Sequence, residues 1–245
     1  MAQAIISGLI KASYKIEVVG RDMAKLEQLQ KQMPQISINT FTNNYDITNK
    51  NIIFCVKPYN LIEVGQKLTG EASSFYSVLA GTTIASLKQH ISSKSYVRAM
   101  PNVSAKFNKS MTTLTGDEDL KDEAVKIFDF IGNTLWVDTQ NELDIATAVA
   151  GSGPAFLALF ADGIIQGGID AGLKKEDALT LTTALFNGFT PLLEDDEPKD
   201  IIKKVMSPNG TTQAGYEYLV EHKVKEEISA TIQTAYNRAL ELAKS

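Results

Sequence analysis

Apolar residues recur at Ala2, Ile5, Ile6, Leu9 and Ile10, the i, i+3, i+4, i+7, i+8 spacing of one helical face, so a helix is predicted from almost the first residue. No charged stretch precedes this face and no small-residue cleavage site follows it, so the start does not read as a signal peptide. Lys15 to Gly20 is a short apolar run, and Asp22 to Met33 then sets Met23, Leu26, Leu29 and Met33 on one helical stripe that Pro34 ends. A short strand is predicted over Ile36 to Ile38. Asn51 to Val56 is a continuous apolar run of the kind buried on both faces of a parallel sheet, and Phe75 to Ala80 and Tyr96 to Met100 repeat it. Helical spacing over Leu61 to Leu68 and Ile84 to Ile91 separates these runs, which predicts a doubly wound parallel α/β sheet.

Met111 to Thr115 and Thr134 to Val137 read as the last strands, around a helix whose inward side is Leu120, Ala124, Ile127, Phe128 and Ile131. Beyond Trp136 the patterns are all helical. The predicted division is therefore an α/β domain over 1–140 and an all-α bundle over 141–245. The stretch Ala146 to Ile169 is apolar for much of its length, but Asp162, Gln166 and a cluster of glycines interrupt it, so it is read as a soluble helix and not a membrane span. A helix apolar nearly all round needs cover on every side, and so short a bundle supplies little; the simplest cover is a second subunit.

A chain of 245 residues suits two modest domains, and 44% hydrophobic with 22% charged residues is ordinary globular usage. The net charge of −5 and the lack of any basic block give a nucleic-acid partner no electrostatic support. Cys55 is the only cysteine, which excludes an internal disulfide and fits a reducing cytoplasm. His90 and His222 have no ligand cluster at metal spacing, so no metal site is expected and both are read as surface or helix residues.

Four segments carry candidate chemistry. In GSGPAF, Gly151 to Phe156, two glycines precede a proline at a plausible first helical position. In SPNGTT, Ser207 to Thr212, three hydroxyls surround a turn just before a helical pattern. Such a helix start seats a carboxylate on free N–H groups, unless Thr211 or Thr212 merely caps it. VKP, Val56 to Pro58, ends the most hydrophobic strand, where open α/β sheets bind ligands, so Lys57 is either a phosphate or ribose contact or a solvated turn residue. Gly20, Arg21 and Lys25 follow the first strand, and a basic residue there favours a 2′-phosphate, a preference that Asp22 tempers.

In this order CVKP, LAGTTI, RAMPN, AGSGPAF and SPNGTT resemble pyrroline-5-carboxylate reductase from end to end, and the pairing of GSGPAF with SPxGTT is the specific part. The resemblance implies a Rossmann-like cofactor domain, a helical domain that interlocks with that of a second subunit in a homodimer, and an active site between the two. It implies reduction of pyrroline-5-carboxylate to proline, with NADPH, or NADH, as cofactor. Carried over by position, Gly20, Arg21, Asn43, Cys55, Val56, Lys57 and Pro58 would contact the cofactor. Val78, Leu79, Ala80, Met100, Pro101 and Lys204 would join them. Asn102, Asp195, Ser207, Gly210, Thr211 and Thr212 would hold the substrate, with Thr212 as the catalytic hydroxyl at the ring nitrogen.

Two departures accompany the match. Asn209 stands where the family usually has glycine, and asparagine tolerates left-handed backbone. The family also has a first strand and a GxGxxM-type glycine loop, whereas this chain starts at the Met. A missing N-terminal segment is therefore expected, from a misplaced start or a truncated chain, and two strands should lose a neighbour. The rival readings are a β-hydroxyacid or phosphogluconate-type dehydrogenase, with Lys203 or Lys204 as its lysine, and a catalytically silent dimer.

Overall fold

The computed structural model describes residues 1–12 and 14–244. It divides into two compact units, Met1–Ser152 with Ala235–Ser245, and Gly153–Thr234. The sequence boundary near residue 140 marks where strands give way to helices. The division by contacts falls later because helix α6 (Gln140–Ala146) packs on strand β8 (Ser110–Gly116), and the end of helix α11 (Val224–Lys244) returns to the first unit. There Tyr236 donates a 2.5 Å hydrogen bond to the Asn141 side chain.

In the first unit helix α1 (Ala2–Leu9) buries Ile5, Ile6 and Leu9. Strand β1 (Glu17–Gly20), helix α2 (Met23–Gln32) and strand β2 (Ser37–Thr40) follow as a parallel βαβ unit. Short strands β3 (Tyr45–Asp46) and β5 (Leu68–Thr69) pair with each other. Strands β4 (Asn51–Phe54), β6 (Ser74–Ser77) and β7 (Tyr96–Met100), with β8 and β9 (Gly132–Trp136), make a sheet in that order. Helices α3 (Leu61–Gly65) and α4 (Ile84–His90) contribute to the cluster of Phe54, Phe75 and Leu87. On the other side α1 and α5 (Lys121–Phe128) contribute to that of Tyr76, Val97 and Phe128. The doubly wound reading therefore holds, with one correction: β7 and β8 are antiparallel. Residues 101–109 between them are too few for the dozen or more that a parallel crossover needs.

The sheet is also divided, since β1 and β2 form a pair of their own. Alternate residues of a parallel strand bond to one side. Ser37 and Phe41 donate to the Ile16 and Gly20 carbonyls, so the peptide groups of Glu17 and Val19 turn away from β2. Ser73 and Val78 donate to the Lys50 and Phe54 carbonyls, so those of Asn51 and Ile53 turn away from β6. These same four residues line two cavities, of about 530 and 290 Å³. The two strands expected to lack a neighbour are thus each bonded along one edge among the described residues.

The second unit holds α7 (Gly153–Asp170), α8 (Lys175–Asp195), α9 (Pro198–Val205), α10 (Thr211–Glu221) and much of α11. Its helices leave Leu157, Leu159, Phe160, Leu181 and Leu185 exposed, and α7 buries no residue at all. The run Gln140–Asp170 is long and apolar enough to cross a membrane by length and composition. A π-turn, Thr147–Gly151, closed by the Ser152 N–H on the Thr147 carbonyl at 3.0 Å, joins α6 to α7. GSGPAF therefore does open a helix, α7, from Gly153 with Pro154 second, but it does so just after a π-turn and not out of a loop. The helical run as a whole begins at Thr139, whose side chain and Glu142 form a reciprocal capping box.

Candidate functional site

Strands β4, β6 and β7 run parallel, so their C-terminal ends share one edge of the sheet, where open α/β folds bind ligands. Cys55 to Pro58, Val78 to Ala80 and Met100 to Asn102 follow those ends. The ends of β1 and β4 meet at the larger cavity, lined by Gly20, Arg21, Val56 and Asn60 above the apolar Phe41, Ile52 and Phe54. Asn43, Lys57 and Pro58 do not line it. Asn43 sits exposed in the turn after β2, and Lys57 is the exposed N-cap of a short 3₁₀ turn opened by Pro58.

Besides Arg21, the charged residues lining the cavity are Lys15, Glu17 and Lys50, of which Lys50 pairs with Glu17 at 3.5 Å. The Asp22 carboxylate accepts the Lys25 N–H at 3.2 Å as the cap of α2, and that bond holds it below the usual carboxylate range. Arg21 keeps an exposed guanidinium whose nearest carboxylate, that of Glu63, is 3.9 Å away. An exposed cation over a mainly apolar cavity fits the phosphate and base of an adenosine 2′-phosphate. Cys55 lines the smaller cavity, and burial pushes its thiol up to about 12, so it is a neutral wall there and not a nucleophile. Leu79 and Pro101 are buried, Val78 and Met100 half-buried, and Ala80 exposed.

Asn102 is engaged at three points. Its N–H donates to Ser110 Oγ, its Oδ1 accepts from the Ser104 N–H, and its Nδ2 donates to the Ala150 carbonyl, each at 3.0 Å. Nearby Arg98, only 1% exposed, makes a 2.8 Å ion pair with the buried Asp144 of α6. Residues 98 and 144 lie on elements far apart in the chain, and no local pattern announced them.

In the helical unit, the segment before α10 turns tightly: Gly210 N–H donates to the Ser207 carbonyl at 3.1 Å, and Asn209 adopts a left-handed φ of 59°. Asparagine thus carries the turn as its chemistry allows. A Cβ on Gly210 would lie 2.5 Å from Ser207 Oγ and 3.1 Å from the Ser207 carbonyl, so a larger residue there would push that hydroxyl aside. The N-cap is Gly210, which has no side chain to offer, and Gln213 instead accepts the Asn209 N–H at 2.8 Å. Thr211 and Thr212 are therefore not caps. Their N–H groups have no partner within the helix, and among the described residues the hydroxyls of Ser207, Thr211 and Thr212 make no hydrogen bond.

Lys204 does not stand free: both oxygens of Asp196 accept from it at 2.6 Å, which raises its pKa. Asp196 is the C-cap of α8, and Asp195, the carried-over position, is its exposed last residue. His90 lies in the last turn of α4 and His222 stacks on Tyr218 at 3.9 Å. No group of three or more His, Cys, Asp or Glu among the described residues is placed to hold a metal ion.

Residues 140–242 match the family model for pyrroline-5-carboxylate reductase dimerisation, and residues 1–81 match that for coenzyme F420-dependent NADP oxidoreductases. A pyrroline-5-carboxylate reductase of Helicobacter pylori strain J99 is 33% identical over 92% of this chain and 90% of its own. The structure of a pyrroline-5-carboxylate reductase from Coxiella burnetii superposes with a TM-score of 0.84 at 26% identity, over 100% of this chain and 95% of that one. The Plasmodium falciparum pyrroline carboxylate reductase with NADP bound shares the fold, with a TM-score of 0.78 at 20% identity over 98% and 93%. By its likeness to such relatives along nearly its whole length, the chain belongs to the pyrroline-5-carboxylate reductase family.

Proposed function

We propose that this chain reduces 1-pyrroline-5-carboxylate to proline, the last step of proline synthesis, with NADPH or NADH as the hydride donor. The observation that carries the reading is the start of α10: a glycine-capped helix end with unpaired N–H groups and three unengaged hydroxyls, which suits a small carboxylate. The Gly210 N–H is committed to the Ser207 carbonyl, so the Ser207 hydroxyl and the amides of Thr211 and Thr212 hold the carboxylate, with Gly210 shaping the turn, and the Thr212 hydroxyl bonds the ring nitrogen. Asp195 belongs to the rim of the same pocket. Gly20 and Arg21 hold the adenosine phosphate, with Asn43 at the adenine end. Cys55 to Pro58, Val78 to Ala80, Met100 and Pro101 line the rest of the cofactor, with Lys204 a further contact once it exchanges Asp196 for a cofactor oxygen.

A bound dihydronicotinamide supplies the hydride for C5 of the imine. The chain's own contribution is positioning, with Cys55 kept neutral by burial as part of the wall. The exposed leucines of α7 and α8 form the interface of a homodimer that works in the cytoplasm. A hydroxyacid dehydrogenase would need an uncommitted lysine, whereas Lys203 and Lys204 are paired with Asp200 and Asp196.

Loss of NADPH absorbance on adding pyrroline-5-carboxylate tests the reaction. Thr212→Val should lower turnover roughly a hundredfold while changing NADPH affinity by less than about twofold. An unchanged rate in that variant removes Thr212 from the chemistry, and an inert parent chain removes the reaction itself.

A further inference from the structure

Where α7 begins, the backbone is short of one donor. In an α-helical register the Ala150 carbonyl would accept from the N–H of residue 154, and Pro154 has none. The π-turn over Thr147–Gly151 sits at this defect, and the Asn102 Nδ2 donates to the same carbonyl at 3.0 Å. The rest of Asn102 is held by its own loop, through Oδ1 on the Ser104 N–H and its N–H on Ser110 Oγ, itself 3.1 Å from the buried Thr112 hydroxyl. Its backbone carbonyl accepts from the Ala105 N–H at 3.1 Å, so every polar group of Asn102 serves the protein.

We propose that Asn102 is a positioning residue: its amide replaces the donor that Pro154 removes, and so latches the loop after β7 to the π-turn at the head of α7. The pieces joined are the Met100–Pro101 segment, whose neighbours end the central strands, and the turn that launches the long apolar helix. Aspartate cannot substitute, because it presents an oxygen to the carbonyl where the amide presents a hydrogen. Alanine leaves the carbonyl without this partner and the Ser104 N–H without its cap. Serine keeps a hydroxyl near the Ser104 N–H and is too short for Ala150.

The functional arm of the test rests on the reductase reading given above. Asn102→Ser should lower kcat about tenfold, with the KM for pyrroline-5-carboxylate and for NADPH changed less than about twofold, since the residue orients the site without touching either ligand. Asn102→Asp should be no better. Adding Pro154→Ala to Asn102→Ser returns an N–H to residue 154 and should recover most of the lost kcat. The same double-mutant cycle on thermal midpoint gives a readout independent of activity: the cost of Asn102→Ser should shrink in the Pro154→Ala background.

Two results overturn the proposal. One is a cycle in which the two substitutions are additive in both kcat and midpoint. The other is an Asn102→Ser enzyme with a raised KM for pyrroline-5-carboxylate and an unchanged kcat, which would make Asn102 a substrate ligand. A parent chain without reductase activity would sink the functional reading alone, and the midpoint cycle would still decide the latch.

Discussion

In the sheet unit Phe75, Val97, Leu114, Phe128 and Ile131 are fully buried, whereas the eighteen residues of α7, just as apolar, bury none. Polar groups divide the same way: the sheet unit encloses the Arg98–Asp144 pair, and the helical unit leaves the hydroxyls of Ser207, Thr211 and Thr212 open. Apolar burial stabilises by about 25 cal/mol per Å². The sheet unit collects that within one chain. The helical unit has only Ala178, Thr182 and Ile201 buried, so its leucines are left uncovered by the chain's own residues. The family's dimerisation region covers those helices.

The sharpest way to break this contrast is inside the sheet unit. Asp144→Ala strands a buried guanidinium and should cost about 3 to 5 kcal/mol of unfolding free energy, read by urea denaturation. A cost below about 1 kcal/mol would show that water reaches Arg98 and that the unit is less closed than described. Next comes the surface of the helical unit: Leu159, 73% exposed, changed to aspartate should weaken self-association by roughly a hundredfold in sedimentation runs. Sedimentation identical to the parent would place the interface elsewhere.

A further test of the closed sheet unit reads stability against pH. Burial raises the Cys55 thiol from its ordinary 9.0 to about 12, so the folded state binds more protons than the unfolded state between those values. Its stabilising contribution is fully present below pH 9 and is lost as pH climbs toward 12, at no more than about 1.4 kcal/mol per pH unit. Cys55→Ala should flatten that part of the stability curve. An unaltered slope would assign it to other groups.

Much of the sheet unit was legible because its cues are local. Leu120, Ala124, Ile127, Phe128 and Ile131, all chosen from spacing, are all buried. Met23, on an equally good stripe, is exposed, since spacing marks a face without saying what covers it. The reversal at β8 could have been read from the short connection after Met100. GSGPAF marked the start of α7 at Gly153, but glycine and proline mark a helix start and a helix defect alike, so the π-turn before it and the capping box at Thr139 and Glu142 that opens α6 went unread. The α10 turn was legible as a helix start, and the structure removed the capping alternative by placing Gly210 at the cap. Contacts such as Asn102 with Ala150, 48 positions apart, leave no trace in any local window.

The divided sheet has a consequence for how the molecule comes apart. The piece formed by β1, α2 and β2 shares no ladder with the main sheet, and its own core is the small cluster of Ile6, Leu29 and Ile36. Its opening free energy is set mainly by that cluster, and α1, through Ile5 and Leu9, ties it to the core around Phe128. The molecule therefore loosens in steps, and the segment carrying Gly20 and Arg21 lets go first.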